Sequence, residues 1–177
     1  MLMRNKLLLI TILAGFVFLS FINGSPEPRD GLQVGNKIPS INQPLLDGTA
    51  FTTDSLKGKM VLLDFWASYD APSRVESSAK KELIRKYNNH KFLNGKDFVI
   101  VSISLDRFKS PLMQVIKRDQ LNEMYHICNF KGRNSEIAKK FQTTEDMTNY
   151  LVDGHGRIVS VSKNMEKIDE TLARLQQ

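Results

Sequence analysis

Val61-Leu-Leu-Asp-Phe-Trp-Ala-Ser-Tyr-Asp-Ala-Pro-Ser-Arg74 is the stretch that decides the fold. Met60 to Phe65 is apolar except for Asp64 and rich in strand formers, so it reads as a buried strand. Trp66-Ala67-Ser68-Tyr69 ends it. Asp70-Ala71-Pro72 then opens a helix, with an acidic cap followed by a proline in the first turn. Pro72 has no N–H to offer, so the Asp70 carboxylate is expected to accept from the Ser73 amide. A strand that runs into a helix N-terminus makes a ledge that favours negative charge.

Working outward, the spacing predicts one helix from about Pro72 to Tyr87. Val75, Ala79, Leu83 and Tyr87 recur every four residues with Ile84 beside them, and Lys80, Lys81, Arg85 and Lys86 fall mostly off that stripe. Asp97 to Asp106 reads as a second buried strand. Upstream, Asp47-Gly48 is a turn between two short apolar runs in Pro44–Phe51, which predicts a hairpin, and Ser55–Gly58 is a helical turn stopped by glycine. Downstream, Ser110-Pro111 opens a helix to about Gln120, Tyr125–Phe130 is a short strand, and Asn134 or Ser135 starts another helix. A hairpin of Thr148–Asp153 and Arg157–Val161 follows, and Asn164 caps a last helix that turns Met165, Ile168, Leu172 and Leu175 inward.

The central stretch resembles the active-site segment of thioredoxin-fold proteins, and most closely the exported TlpA/ResA-like thiol–disulfide oxidoreductases of the redoxin group. Their segment reads D-F-W-A-S-W-C-x-P-C-R; this chain has Asp64, Phe65, Trp66, Ala67, Ser68, Pro72 and Arg74, with Tyr69 for the second tryptophan. The N-terminal hairpin pattern and the Val-Ser-Ile-Ser-Leu-Asp106 strand ending resemble the same group, over about Leu32 to Gln177. The resemblance implies an α/β thioredoxin-like three-layer sandwich: a mixed central sheet, helices on both faces and an added N-terminal β-hairpin.

The resemblance also places Asp70 where the attacking cysteine belongs and Ser73 where the resolving one belongs. Thiol–disulfide exchange needs a thiolate to attack and a second thiol to release the mixed disulfide. Neither oxygen side chain can do either. Asp64 matches the buried acid that handles the resolving thiol's proton in thioredoxins. Aligning Thr148–Asp153 with the strand that follows the family's cis-proline puts Met147 at the proline position, where a trans bond is expected. The expected function is a non-catalytic binding or accessory module; the alternative is thiol–disulfide exchange through the lone Cys128, with His126 two residues away. Trp66, Tyr69 and Pro72 form a candidate apolar patch for a partner polypeptide, and a core role for Trp66 is an equal reading.

Composition sets limits around this. The sequence has 25 Lys+Arg against 19 Asp+Glu, a net charge of +6, in small dispersed clusters rather than the dense patch with interleaved aromatics that nucleic acid requires. One cysteine excludes an intramolecular disulfide and the usual cysteine-rich zinc site, and no cofactor is called for. Arg4 and Lys6 precede an apolar run, Leu7–Ile22, which ends in Asn23-Gly24-Ser25. Residues 1–25 therefore read as a cleaved signal peptide or an uncleaved anchor, 26–31 as a linker and 32–177 as the domain. The expected location is outside the cytoplasm, periplasmic or anchored, with exported or envelope proteins as partners and membrane contact only through residues 1–25.

Overall fold

The computed structural model describes residues 29–177; the leader reading lies outside them. β1 (Lys59–Trp66) and β3 (Gly95–Ser104) pair in parallel at the centre of a mixed sheet. The strand order is β2-β3-β1-β5-β6, with β2 (Lys91–Phe92), β5 (Asn149–Val152) and β6 (Ile158–Ser162) antiparallel to their neighbours. β4 (Tyr125–Ile127) adds in parallel along the far half of β3, through Val101 to Ile103. Among the described residues, five α-helices complete it: α1 (Ala71–Val75), α2 (Ser77–Tyr87), α3 (Lys109–Arg118), α4 (Glu136–Lys140) and α5 (Met165–Leu175).

The two-residue period of the strands sorts the core into layers. Met60, Leu62 and Trp66 of β1, with Phe98 and Ile100 of β3, face one side and pack under α2, α3 and α5. Val61, Leu63 and Phe65, with Val101 and Ile103, face the other and meet α4 and the N-terminal segment through Ile137, Phe141, Ile41 and Phe51. Each fully buried aliphatic or aromatic side chain stabilises the fold by about 1.5–3 kcal/mol. This is the three-layer thioredoxin-like sandwich, helices on both faces of a mixed sheet.

Three local expectations change. The N-terminal hairpin keeps its turn: Gly48 has φ +89°, and Asp47 accepts from the Thr49 amide. Its arms bond to each other at the Asn42–Thr52 bridge and from the Leu45 amide to the Thr49 carbonyl without forming a continuous ladder, and the Leu46 amide turns to the His126 carbonyl of edge strand β4. The single helix expected from Pro72 is two. Glu76 breaks it, its amide bonding back to the carbonyls of Arg74 and Pro72. Val75 is consequently not on the apolar stripe. It lies on the short first helix beyond the sheet and is 78% exposed. α3 starts at Lys109, one residue ahead of the expected Ser110-Pro111, with Phe108 as its cap position.

Candidate functional site

Asp70 is the N-cap of α1. Its backbone is extended, and Oδ2 accepts from the Ser73 amide at 2.9 Å and from Ser73 Oγ at 2.7 Å. The first helical bond runs from the Arg74 amide to the Asp70 carbonyl. Ser73 is buried and Asp70 is partly exposed. Ser73 Oγ also stands 3.5 Å from Met147 Sδ, but it has one proton, and a carboxylate outcompetes a thioether for it. Asp70, Ser73 and Met147 are therefore one contact line, although Met147 lies 74 positions downstream. No described residue forms a cis peptide, Met147 included.

Tyr69 and Pro72 stand open to solvent on the ledge. Trp66 does not join them, which corrects its place in the expected patch. It is the last residue of β1 and points into the helical layer, and its indole Nε1 donates to Ser102 Oγ at 2.6 Å. A buried indole needs such an acceptor, and the neighbouring strand supplies it.

Beneath the ledge lies a buried ion pair. Asp64 sits on the Trp66 face of β1 and is 1% exposed; Lys80 of α2 is 2% exposed, and its Nζ is 2.8 Å from Asp64 Oδ1. The contact is ionic: neither carboxylate oxygen receives a well-angled hydrogen bond from any described residue. The Lys80 ammonium also lies 5.5 Å from the Trp66 ring centroid, over its face. Lys80 was expected off the apolar stripe. It occupies the stripe instead, one turn before Ile84, because Asp64 faces that position and would otherwise be an unpaired buried charge. Burial holds the nearby Glu76 carboxyl above the ordinary range, the Lys80 charge opposes this, and Asp64 and Asp70 add to it.

Sequence reasoning left Asp106 unassigned, and it is the anchor of the ledge loop. Its buried carboxylate accepts from the Ser68 amide at 2.9 Å, Ser68 Oγ at 2.5 Å and Ser104 Oγ at 2.6 Å. The serine-rich ending of β3 was the available signal. Cys128 is joined to the same residue: it is half-buried just after β4, and its thiol donates to the Asp106 carbonyl at 3.5 Å. It lies nearer the ledge in space than the chain order suggests. Burial pushes its pKa up, partly offset by hydrogen bonds from the Phe130 amide and Ser104. His126 Nε2 bonds to the Leu121 carbonyl at 2.8 Å, and burial pushes its pKa down, which favours the neutral ring. No hydrogen bond joins His126 to Cys128 among the described residues. No cluster of three or more His, Cys, Asp or Glu suited to a metal ion occurs among them either.

These features can be set beside known proteins. Thiol-disulfide oxidoreductase ResA of Bacillus cereus is 24% identical over 179 residues, covering 97% of this chain and 98% of that protein. A solved thiol-disulfide oxidoreductase from Bacteroides fragilis superposes with a TM-score of 0.67 at 26% identity, over 78% of this chain and 98% of its own. A thioredoxin-like protein from Parabacteroides distasonis superposes with a TM-score of 0.64 at 27% identity, over 83% and 99%. The Redoxin family matches residues 33–175, nearly the whole described chain. A mixed sheet of this order, a capped helix at the end of its central strand and that match together make this chain a member of the Redoxin family, with a thioredoxin fold of the thiol–disulfide oxidoreductase type.

Proposed function

We propose that this chain has given up dithiol exchange and serves outside the cytoplasm as a non-catalytic binding or accessory protein. One observation carries the reading. At the two positions that the family resemblance gives to the redox cysteines, a carboxylate accepts hydrogen bonds from the amide and hydroxyl of the same serine. That contact completes a helix cap and has no sulfur to attack or to release. Asp64, which the resemblance matches to the family's buried acid, is engaged by Lys80 Nζ at 2.8 Å, and no thiol of this ledge stands above it to be served. Export is supported by the charged and then apolar leader, Arg4 and Lys6 before Leu7–Ile22. No helix among the described residues is long and apolar enough to cross a membrane. The partners in view are exported or envelope polypeptides, met at the Tyr69 and Pro72 side of the ledge.

Exchange through Cys128 is the competing reading. Its raised pKa leaves little thiolate at neutral pH, and the thiolate is the nucleophile. An insulin-reduction assay on the full chain decides between the two. The expected result is no turnover above the reductant alone, unchanged in a Cys128→Ser variant. Turnover that disappears in Cys128→Ser overturns the binding reading.

A further inference from the structure

Beside the ledge lies a cleft of about 460 Å³. Leu105 and Gly132, both buried, form its floor, and Tyr69, Phe108 and Pro111 form its rim. Tyr69 is 62% exposed and Phe108 71%. Two large exposed aromatics facing one small cleft are the kind of apolar surface that a soluble domain keeps for a partner.

Its charge is specific too. Arg107 lies across Gly132, which has φ +63°; a Cβ there would come within 3.1 Å of Arg107 Cγ and Nε. The glycine thus lets the arginine stem form a wall of the cleft. Arg107 is exposed and joins no ion pair among the described residues. The one carboxylate in the lining, Asp106, is turned inward and saturated by Ser68 and Ser104. Arg133, at the far side, is committed to the carbonyls of Thr144 and Glu145 but keeps its charge. Arg107 thus presents an exposed guanidinium at an apolar cleft whose own carboxylate is turned away from it, and charge complementarity favours an anion on the occupant.

We propose that the cleft docks an extended polypeptide segment in which a carboxylate stands beside a bulky apolar side chain. The apolar side chain lies between Tyr69 and Phe108 over Leu105, and the carboxylate takes the two-pronged Arg107 guanidinium. This rests on the binding reading above and adds the chemistry of the partner. The chain's own leader is the wrong occupant by charge, since residues 1–28 carry Arg4 and Lys6 against Glu27 alone. The net positive charge of the whole chain would speed encounter with an acidic segment.

The test is fluorescence anisotropy on the full chain with three labelled octapeptides: alternating leucine and glutamate, leucine and glutamine, and leucine and lysine. The expected order is glutamate tightest, by about tenfold over glutamine, with lysine weakest and with the glutamate advantage shrinking as salt rises. Arg107→Glu should erase the advantage and Arg107→Lys should keep part of it, with unchanged melting temperatures because the residue is exposed. Equal binding of the glutamate and glutamine peptides overturns the proposal, as does an unimpaired Arg107→Glu variant or the absence of binding by all three. Equal binding that is nonetheless lost in Tyr69→Ala removes only the acidic preference and leaves the binding reading standing. Cys128-dependent insulin reduction would remove the binding reading itself.

Discussion

Asp64 and Asp70 are carboxylates six residues apart, one below the ledge and one on it, and the chain satisfies them in opposite ways. Asp70 is partly solvated and is used locally: it caps its own helix through Ser73, three residues on. Asp64 is buried on the Trp66 face of β1 and draws its counter-charge from Lys80, on another element. Near solvent a carboxylate is stabilised by any amide that points at it. In the core it must have an opposite charge or lose its own. The exposed cap therefore contributes modestly and independently, whereas the buried pair stands or falls as a unit.

The largest expected effect tests the buried half. Lys80→Ala leaves Asp64 without its partner and should cost about 3–5 kcal/mol in chemical denaturation. Replacing both, Asp64→Leu with Lys80→Met, should recover most of that loss or exceed the wild type, because two apolar side chains need no pairing. A single variant that costs under about 1 kcal/mol would mean that water already shares the Asp64 charge, and the contrast between the two acids would vanish.

The exposed half is tested by Asp70→Ala, which removes the cap and should cost about 1 kcal/mol. Asp70→Asn should keep most of it, since an amide oxygen still accepts from the Ser73 amide. A loss as large as that of Lys80→Ala would show that the ledge is coupled to the core.

Glu76 lies between the two regions, and its effect is the smallest. Burial holds its pKa up, so the folded state keeps that proton to higher pH than the unfolded chain. Its cost is absent below the unfolded value and grows as pH rises through the folded one. Glu76→Gln should therefore raise the unfolding free energy at pH 7, by less than about 1 kcal/mol after screening, and should leave it unchanged near pH ~3. Paired thermal melts at the two pH values check the sign.

What could be read from the chain follows the same division between local and distant partners. The Asp70, Ser135 and Asn164 caps, the Asp47-Gly48 turn and the strand of Met60 to Trp66 are written in adjacent residues, and each lies where those residues put it. The break at Glu76 carries no glycine or proline, so periodicity ran straight through it. Lys80 reads as a surface lysine until Asp64, sixteen positions earlier, is seen across from it. Trp66 could be assigned to core or patch only once Ser102 supplied an acceptor on the neighbouring strand. The short link from Cys128 to the ledge runs through the Asp106 carbonyl, a contact between elements 22 residues apart that no local pattern announces. The positions of Asp70, Ser73 and Met147 in one site came from the family resemblance, while their contacts came from the fold.

The proposed loss of dithiol exchange, with oxygen at both positions that the resemblance gives to cysteine and Met147 at the proline position, is tested most directly by restoring sulfur. In an Asp70→Cys, Ser73→Cys protein that also carries Cys128→Ser, thiols are counted before and after mild oxidation, together with insulin reduction. Residues 70 and 73 turn their side chains toward each other across the first turn of α1, so the two sulfurs should close into a disulfide, the count falling from two to none. Partial reductase activity should return, held below that of intact relatives by Met147 beside the pair. A folded variant that keeps both thiols free and reduces nothing would show that the ledge has lost the geometry of exchange as well as its sulfur, contrary to this account.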